Sequence, residues 1–212
     1  YNQDLSATFD RHIAAAATAG VRGFVVSWMG DGTTNQGPTT SSSFNPRLEL
    51  LVSRVNAYNA THSRAFGLAL GMSPYGNYSR PASAIINDLT YFSNRYGANT
   101  AFANSYRARP LVMLLDSRKF GPGTLAAVSG ALRGKLVLLG DETATSWGVD
   151  GTLLDGTSYY WSSERPTASA GASLASLGRQ VHAAGKIWLA PFIAGYSRQL
   201  VGGTCVPRNG LS

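Results

Sequence analysis

Eleven carboxylates occur in this 212-residue chain, and five of them lie just past the ends of short apolar runs: Asp31, Asp116, Asp141, Glu142 and Asp155. A sixth, Glu164, lies in a nearby polar stretch. Aromatic residues keep them company, with Trp28 ahead of Asp31, Tyr75 after a second run, and Tyr159-Tyr160-Trp161 after Asp155. Carboxylates take paired hydroxyl donors and flat rings cover C–H surfaces, so this mixture suits a polyhydroxylated ligand such as a sugar. Two carboxyl groups roughly 5–9 Å apart would also serve glycosidic cleavage. Asp116 with Glu142, or Glu142 with Asp155, are the candidate pairs. Singly, each Asp reads better as a cap on a turn or on the next helix. As a set they point to a polar, aromatic pocket.

The elements that must position them repeat in one order: apolar run, polar Gly/Ser/Asn loop, amphipathic helix. The runs are 23–28, 65–72, 110–115, 135–140, 151–154 and 186–192. They are nearly continuous in Val, Leu, Ile and Ala, as in strands of a parallel sheet buried on both faces. Helical segments are expected at 5–19, 46–63, 81–96, 124–132 and 170–184, while the connection into the fifth run is too short for a full helix. Asn45-Pro46 and Arg80-Pro81 mark helix starts, and Ala19-Gly20 and Ala184-Gly185 mark stops. Such an order makes either an open doubly wound sheet or part of a (β/α)8 barrel. Gly30-Asp31-Gly32 is followed by Thr33, Thr34 and Asn35, which weakens a dinucleotide-binding reading.

A chain of this size with 44% hydrophobic residues is expected to form one domain over 1–212. Only 14% of residues are charged, and the net charge of +7 comes from arginines spread singly. No basic run marks a nucleic-acid surface, and no stretch reaches the ~18 apolar residues of a membrane span. His12, His62 and His182 all fall on helical segments without metal-ligand spacing, so no metal or cofactor is expected. No serine sits in a Gly-x-Ser-x-Gly elbow. Trp147 and Trp188 read as core residues as readily as sugar platforms, Trp188 the more so for lying mid-run. Abundant Gly, Ala, Ser and Thr, with two sequons at Asn59 and Asn77, accord with an extracellular or cell-surface setting. The lone Cys205 is either inert or half of a disulfide with a partner elsewhere.

Several segments also match a known family. Ala19 through Trp28 is similar to the second-strand segment of the endo-α-mannosidase-like glycoside hydrolases, a family 99/71-like barrel. Ser73-Pro74-Tyr75 with Arg80 resembles their Pro-Tyr-x-Gly-Arg loop, lengthened by Gly76, Asn77 and Tyr78. Asp88-Leu89-x-Tyr91 and Tyr96-Gly97 resemble the following helix, Arg109-Pro110-Leu111 through Ser117 the next strand, and Leu154 through Trp161 the sixth. Pro191-Phe192 to Gly195-Tyr196 is similar to the seventh. The resemblance implies a (β/α)8 barrel, with about six of its eight units here, that cleaves or binds an α-linked glycan. Together with the run-end residues, it gives Trp28, Tyr75, Arg80, Asp116, Asp141, Glu142, Asp155, Tyr160 and Trp161 as the expected substrate-binding positions. Family members retain configuration with two glutamates in a late Asn-Glu-Trp-x-Glu-Gly segment, and nothing after Tyr196 matches it. The acids are therefore expected beyond Ser212, and the rest of the barrel in a longer polypeptide or a partner chain. The alternative is a non-catalytic glycan-binding or structural domain. Either way, Asp116, Asp141, Glu142, Asp155, Trp28, Tyr75 and Trp161 should line one cleft at the carboxyl ends of the strands.

Overall fold

A computed structural model describes residues 4–30, 44–63, 65–72, 79–103, 108–142, 146–159 and 169–191. The elements alternate as expected: α1 (Ser6–Thr18), β1 (Gly23–Trp28), α2 (Phe44–Thr61), β2 (Gly67–Met72), α3 (Ala82–Tyr96) and the short α4 (Thr100–Ala103). Then come β3 (Leu111–Leu115), a 3-10 turn (Ser117–Phe120), α5 (Pro122–Leu132), β4 (Val137–Glu142), α6 (Val149–Leu153), β5 (Gly156–Tyr159), α7 (Ser169–Ala183) and β6 (Ile187–Leu189). The six strands form one parallel sheet in the order β1-β2-β3-β4-β5-β6.

Helix boundaries follow local chemistry. Pro81 caps the start of α3 in an extended conformation, and Pro122 occupies the first turn of α5. At the end of α1, Gly20 takes φ +83°, and the Val21 N–H turns back to the Ala16 carbonyl at 2.9 Å. Gly185 repeats the device at the end of α7 with φ +67°, Lys186 N–H reaching the Val181 carbonyl at 3.0 Å. Only glycine enters that left-handed conformation without steric cost.

Among the described residues, one face of the sheet carries all the helix packing. Leu68, Leu70, Met72, Val112, Leu114 and Leu138 join Ile13, Val55, Phe92, Phe102 and Leu132 of the helices in one core. The opposite face holds a smaller cluster of strand residues alone, Leu111, Met113, Val137 and Leu139, with Ala69 and Ile187 beside it. A doubly wound sheet would place helices on both faces and reverse its strand order at the middle; this sheet does neither. It also curves. Val25 of β1 and Leu189 of β6 line one cavity of about 380 Å³, although a flat sheet would hold these strands about 24 Å apart. The sheet is a barrel wall of six β/α units, helices outside.

Two expectations need correction. The fifth strand is not 151–154, which lies in and just after α6, but Gly156–Tyr159. An apolar pair such as Leu153-Leu154 does not distinguish strand from helix by periodicity. The real strand is Gly-Thr-Ser-Tyr, made a strand by pairing with β4 on one side and β6 on the other. Nor is every strand buried on both faces. β3 and β4 are largely so, but Val25 of β1 is 54% exposed on the inner face.

The Asn59 sequon is occupied by structure: its side-chain amide donates to the Phe66 carbonyl at 3.0 Å and accepts from the Phe66 N–H at 2.7 Å. Asn77 and Cys205 lie outside the described residues.

Candidate functional site

Because strands alternate their side chains between faces, register decides which rim residues look into the barrel. Leu115 pairs with Asp141, and Asp141 with Ser158. These share the inner face with Met113 and Leu139, two residues earlier on their strands. Asp141 therefore stands at the carboxyl end of β4, on the inside, partly buried. Burial pushes its carboxyl up to about 6, with the Glu142 and Asp116 charges adding to the effect. It is a group that holds or releases a proton near neutrality. Ser158 beside it donates to the Leu189 carbonyl at 3.0 Å, tying β5 to β6. Ser158 carried no signal of its own in the sequence; only register with Asp141 brings it into view.

Asp116 closes β3 from the left-handed region at φ 50°, and its N–H extends the ladder to the Asp141 carbonyl at 2.7 Å. Its carboxylate pairs with Lys119 Nζ at 2.8 Å. Asp116 and Asp141 are brought to the same rim as expected.

Glu142 is not a rim ligand. One residue beyond Asp141, it faces outward and is 2% exposed. Oε1 accepts the Ser117 hydroxyl and, at 3.1 Å, the Arg118 N–H, while Oε2 accepts Arg118 Nε at 2.8 Å. Both oxygens serve to fasten the loop after β3 to the end of β4. Three further positions also depart from expectation. Trp28 is 1% exposed among the helices, its Nε1 donating to Asn45 Oδ1 at 2.8 Å and its ring 6.0 Å from Phe92. It has the outward parity of β1 and cannot be a sugar platform. Arg80 forms a buried pair with Asp88 of α3, Nη2 to Oδ2 at 2.5 Å, with side-chain exposures of 3% and 0%. Asp155 lies before β5 rather than after it, at the amino-terminal rim, where Oδ2 accepts the Leu138 N–H at 2.9 Å. The shift of the fifth strand alone carries it to the other mouth.

The single cleft expected from seven residues is thus not formed as drawn, since Trp28, Glu142 and Asp155 turn elsewhere. The pairing of Glu142 with Asp155 fails with it. Asp31, Tyr75, Tyr160, Trp161 and Glu164 lie outside the described residues. Among the described residues there is no group of three His, Cys, Asp or Glu that could hold a metal, and no helix long and apolar enough to cross a membrane.

A search of solved structures finds this architecture elsewhere. The GH99 endo-α-mannosidase from Bacteroides thetaiotaomicron superposes over 94% of the chain with a TM-score of 0.73 at 18% identity. The same enzyme in complex with bis-tris-propane gives 0.74 over 94% at 20% identity. This is a GH99-like fold. A structure described as a glycoside hydrolase-like protein matches 99% of the chain with a TM-score of 0.67 at 14% identity. The chain spans 57%, 61% and 68% of those three proteins respectively. No protein-family model matches the sequence, and no curated protein matches it. Within the GH99-like fold, the carboxyl-terminal rim that carries Asp116 and Asp141 is where (β/α) barrels place their chemistry.

Proposed function

We propose that this chain is a glycan-active barrel domain that binds an α-linked glycan at the carboxyl-terminal rim, as part of an extracellular or cell-surface glycoside hydrolase. The observation that carries this reading is the GH99-like fold itself, matched over 94% of the chain. The proteins it resembles are endo-α-mannosidases by name, which favours mannose-type α-linked chains over other glycans.

Asp141 is the residue proposed to meet the sugar. It is an inner-face carboxyl at the rim, poised to accept hydroxyl hydrogen bonds when ionised and to donate one when protonated. Asp116 lies beside it, neutralised by Lys119. Cleavage needs a second, opposed carboxyl group, and Glu142 does not provide it, being turned outward with both oxygens engaged. Residues 1–212 are therefore proposed to bind without hydrolysing, and the acid and nucleophile to be supplied by other residues of the complete barrel, as in the resembled family.

The test is calorimetric titration of residues 1–212 with α-linked manno- and gluco-oligosaccharides, alongside a reducing-end assay. Weak binding that drops about tenfold in Asp141→Ala, with no turnover, is the expected result, equivalent to one lost hydrogen bond of about 1.4 kcal/mol. Turnover that disappears in Glu142→Gln would overturn it.

A further inference from the structure

At the opposite mouth of the barrel wall, a cavity of about 490 Å³ opens between the amino-terminal ends of β4, β5 and β6. Arg109, Val137, Asp155, His182, Lys186 and Trp188 line it. We propose that this cavity is a second binding site, for a sugar acid whose carboxylate is taken by Arg109.

Arg109 stands just before Pro110 at the entrance to β3, half-buried, and directly after Ala108, which sits in the left-handed region at φ 57°. Among the described residues, no hydrogen bond or ion pair engages its guanidinium. A guanidinium carries five N–H donors in a planar fork that matches a carboxylate, and leaving it partly desolvated without an anion is unfavourable. Arg47, Arg54, Arg80, Arg95 and Arg118 each meet a carboxylate, whereas Arg109 faces the cavity.

The remaining walls are held rigidly. Asp155 is fixed to β4 by its own N–H to the Leu138 carbonyl at 2.8 Å and by Oδ2 to the Leu138 N–H, and to β6 through its carbonyl and the Ile187 N–H at 3.0 Å. Oδ1 has no partner among the described residues, so it can accept a ligand hydroxyl. Lys186 anchors its ammonium on the Thr152 and Leu154 carbonyls at 3.1 and 2.5 Å, placing a fixed positive charge on the wall. Trp188 is pressed against α7 at Gly178, where a Cβ would come within 2.8 Å of its Nε1. Two permanent cations therefore face one carboxylate across a cavity with an aromatic wall and an apolar floor at Val137 and Ile187. A neutral sugar would leave the fork of Arg109 unmatched, and a bare inorganic anion would leave Asp155 and Trp188 unused. A hexuronate uses all three: carboxylate to Arg109, hydroxyl to Asp155, and a C–H face to Trp188. The volume falls in the range of small-ligand sites.

This site does not depend on the carboxyl-terminal rim, and its test is separate. The chain has three histidines, so the ring protons of His182 can be assigned by their loss in His182→Asn. Titration with D-glucuronate should move them saturably, leave His12 and His62 unmoved, and be unaffected by Asp141→Ala. D-glucose and, at matched ionic strength, sodium sulfate should each act at least tenfold more weakly. Arg109→Gln should weaken the glucuronate response at least tenfold. Arg109→Lys, which keeps the charge but loses the fork, should do so in part and covers the case in which the first variant does not fold. An equal response to glucose, an equal response to sulfate, or an unchanged response in both arginine variants would each overturn the proposal.

Discussion

At the carboxyl ends of β3 and β4 the chain is held by charged side chains, whereas at the amino ends of β4, β5 and β6 it is held mainly by backbone. The loop after β3 hangs on the Glu142 carboxylate through Ser117 and Arg118, and the entry to α3 hangs on the Arg80–Asp88 pair. A Cβ at Gly30, after β1, would come within 2.6 Å of Asp88 Oδ2, so that pair also underlies the exit of β1. At the other mouth, Asp155 exchanges backbone hydrogen bonds with Leu138 and Ile187, and Val137 N–H meets the Pro110 carbonyl at 2.9 Å. The charges differ too. At the first rim Asp116 and Glu142 are paired with Lys119 and Arg118, while Asp141 has no cation paired with it among the described residues. At the second, Arg109 and Lys186 face the single carboxylate of Asp155. A rim built on ionised side chains holds its loops in a geometry that follows protonation. A rim built mainly on backbone bonds is less sensitive to it.

That contrast breaks first at Asp88. Asp88→Ala leaves a guanidinium that is 3% exposed without its carboxylate, and stability measured by urea denaturation should fall by about 3–5 kcal/mol. A loss below about 1 kcal/mol would show that the pair does not brace this rim. Next comes a matched comparison. Glu142→Ala removes the acceptor of three donors, but the freed Arg118, 33% exposed, can turn to water, so the cost should be about 2 kcal/mol. Asp155→Ala removes one acceptor from one backbone N–H and should cost about 1 kcal/mol. The reverse order would mean the amino-terminal rim depends on side chains after all.

The last effect is the most specific to the site. Asp141 holds its proton to about pH 6 in the folded chain, against an ordinary value of 3.8. Between these values the folded state binds a proton that the unfolded chain has released. The contribution of this group to stability is therefore greatest below the unfolded value and declines as pH rises through the folded one. Asp141→Asn should remove that decline, so that the stability difference between variant and parent grows from about pH 4 to about pH 6 and is level above. A difference that does not change with pH would show that Asp141 is not desolvated at the rim.

Much of this molecule was legible in residue order. The apolar runs at 23–28, 110–115 and 135–140 each contain or overlap a strand, and Ala-Gly pairs end α1 and α7 as local sterics require. These are decisions made within one or two turns of chain, by periodicity and by which residues tolerate a left-handed conformation. The order of strands, and hence a barrel wall rather than a two-sided sheet, also followed from unbroken β/α alternation and the family resemblance.

The candidate site was less legible because a side chain's face depends on partners distant in sequence. Gly-Thr-Ser-Tyr becomes a strand only between β4 and β6, and that one displacement carries Asp155 from one mouth to the other. Asp141 and Glu142 are adjacent and chemically alike, yet alternation sends one inward and the other out to Ser117 and Arg118. Trp28 and Arg80 carry types that suit a sugar site, but packing against Phe92 and pairing with Asp88 bury both in the helix layer. The sequence by itself determined the longer helices and every strand but the fifth, and which residues have binding chemistry. Which of those residues face the barrel was decided only by strand register and packing, because those depend on contacts between residues far apart in the chain.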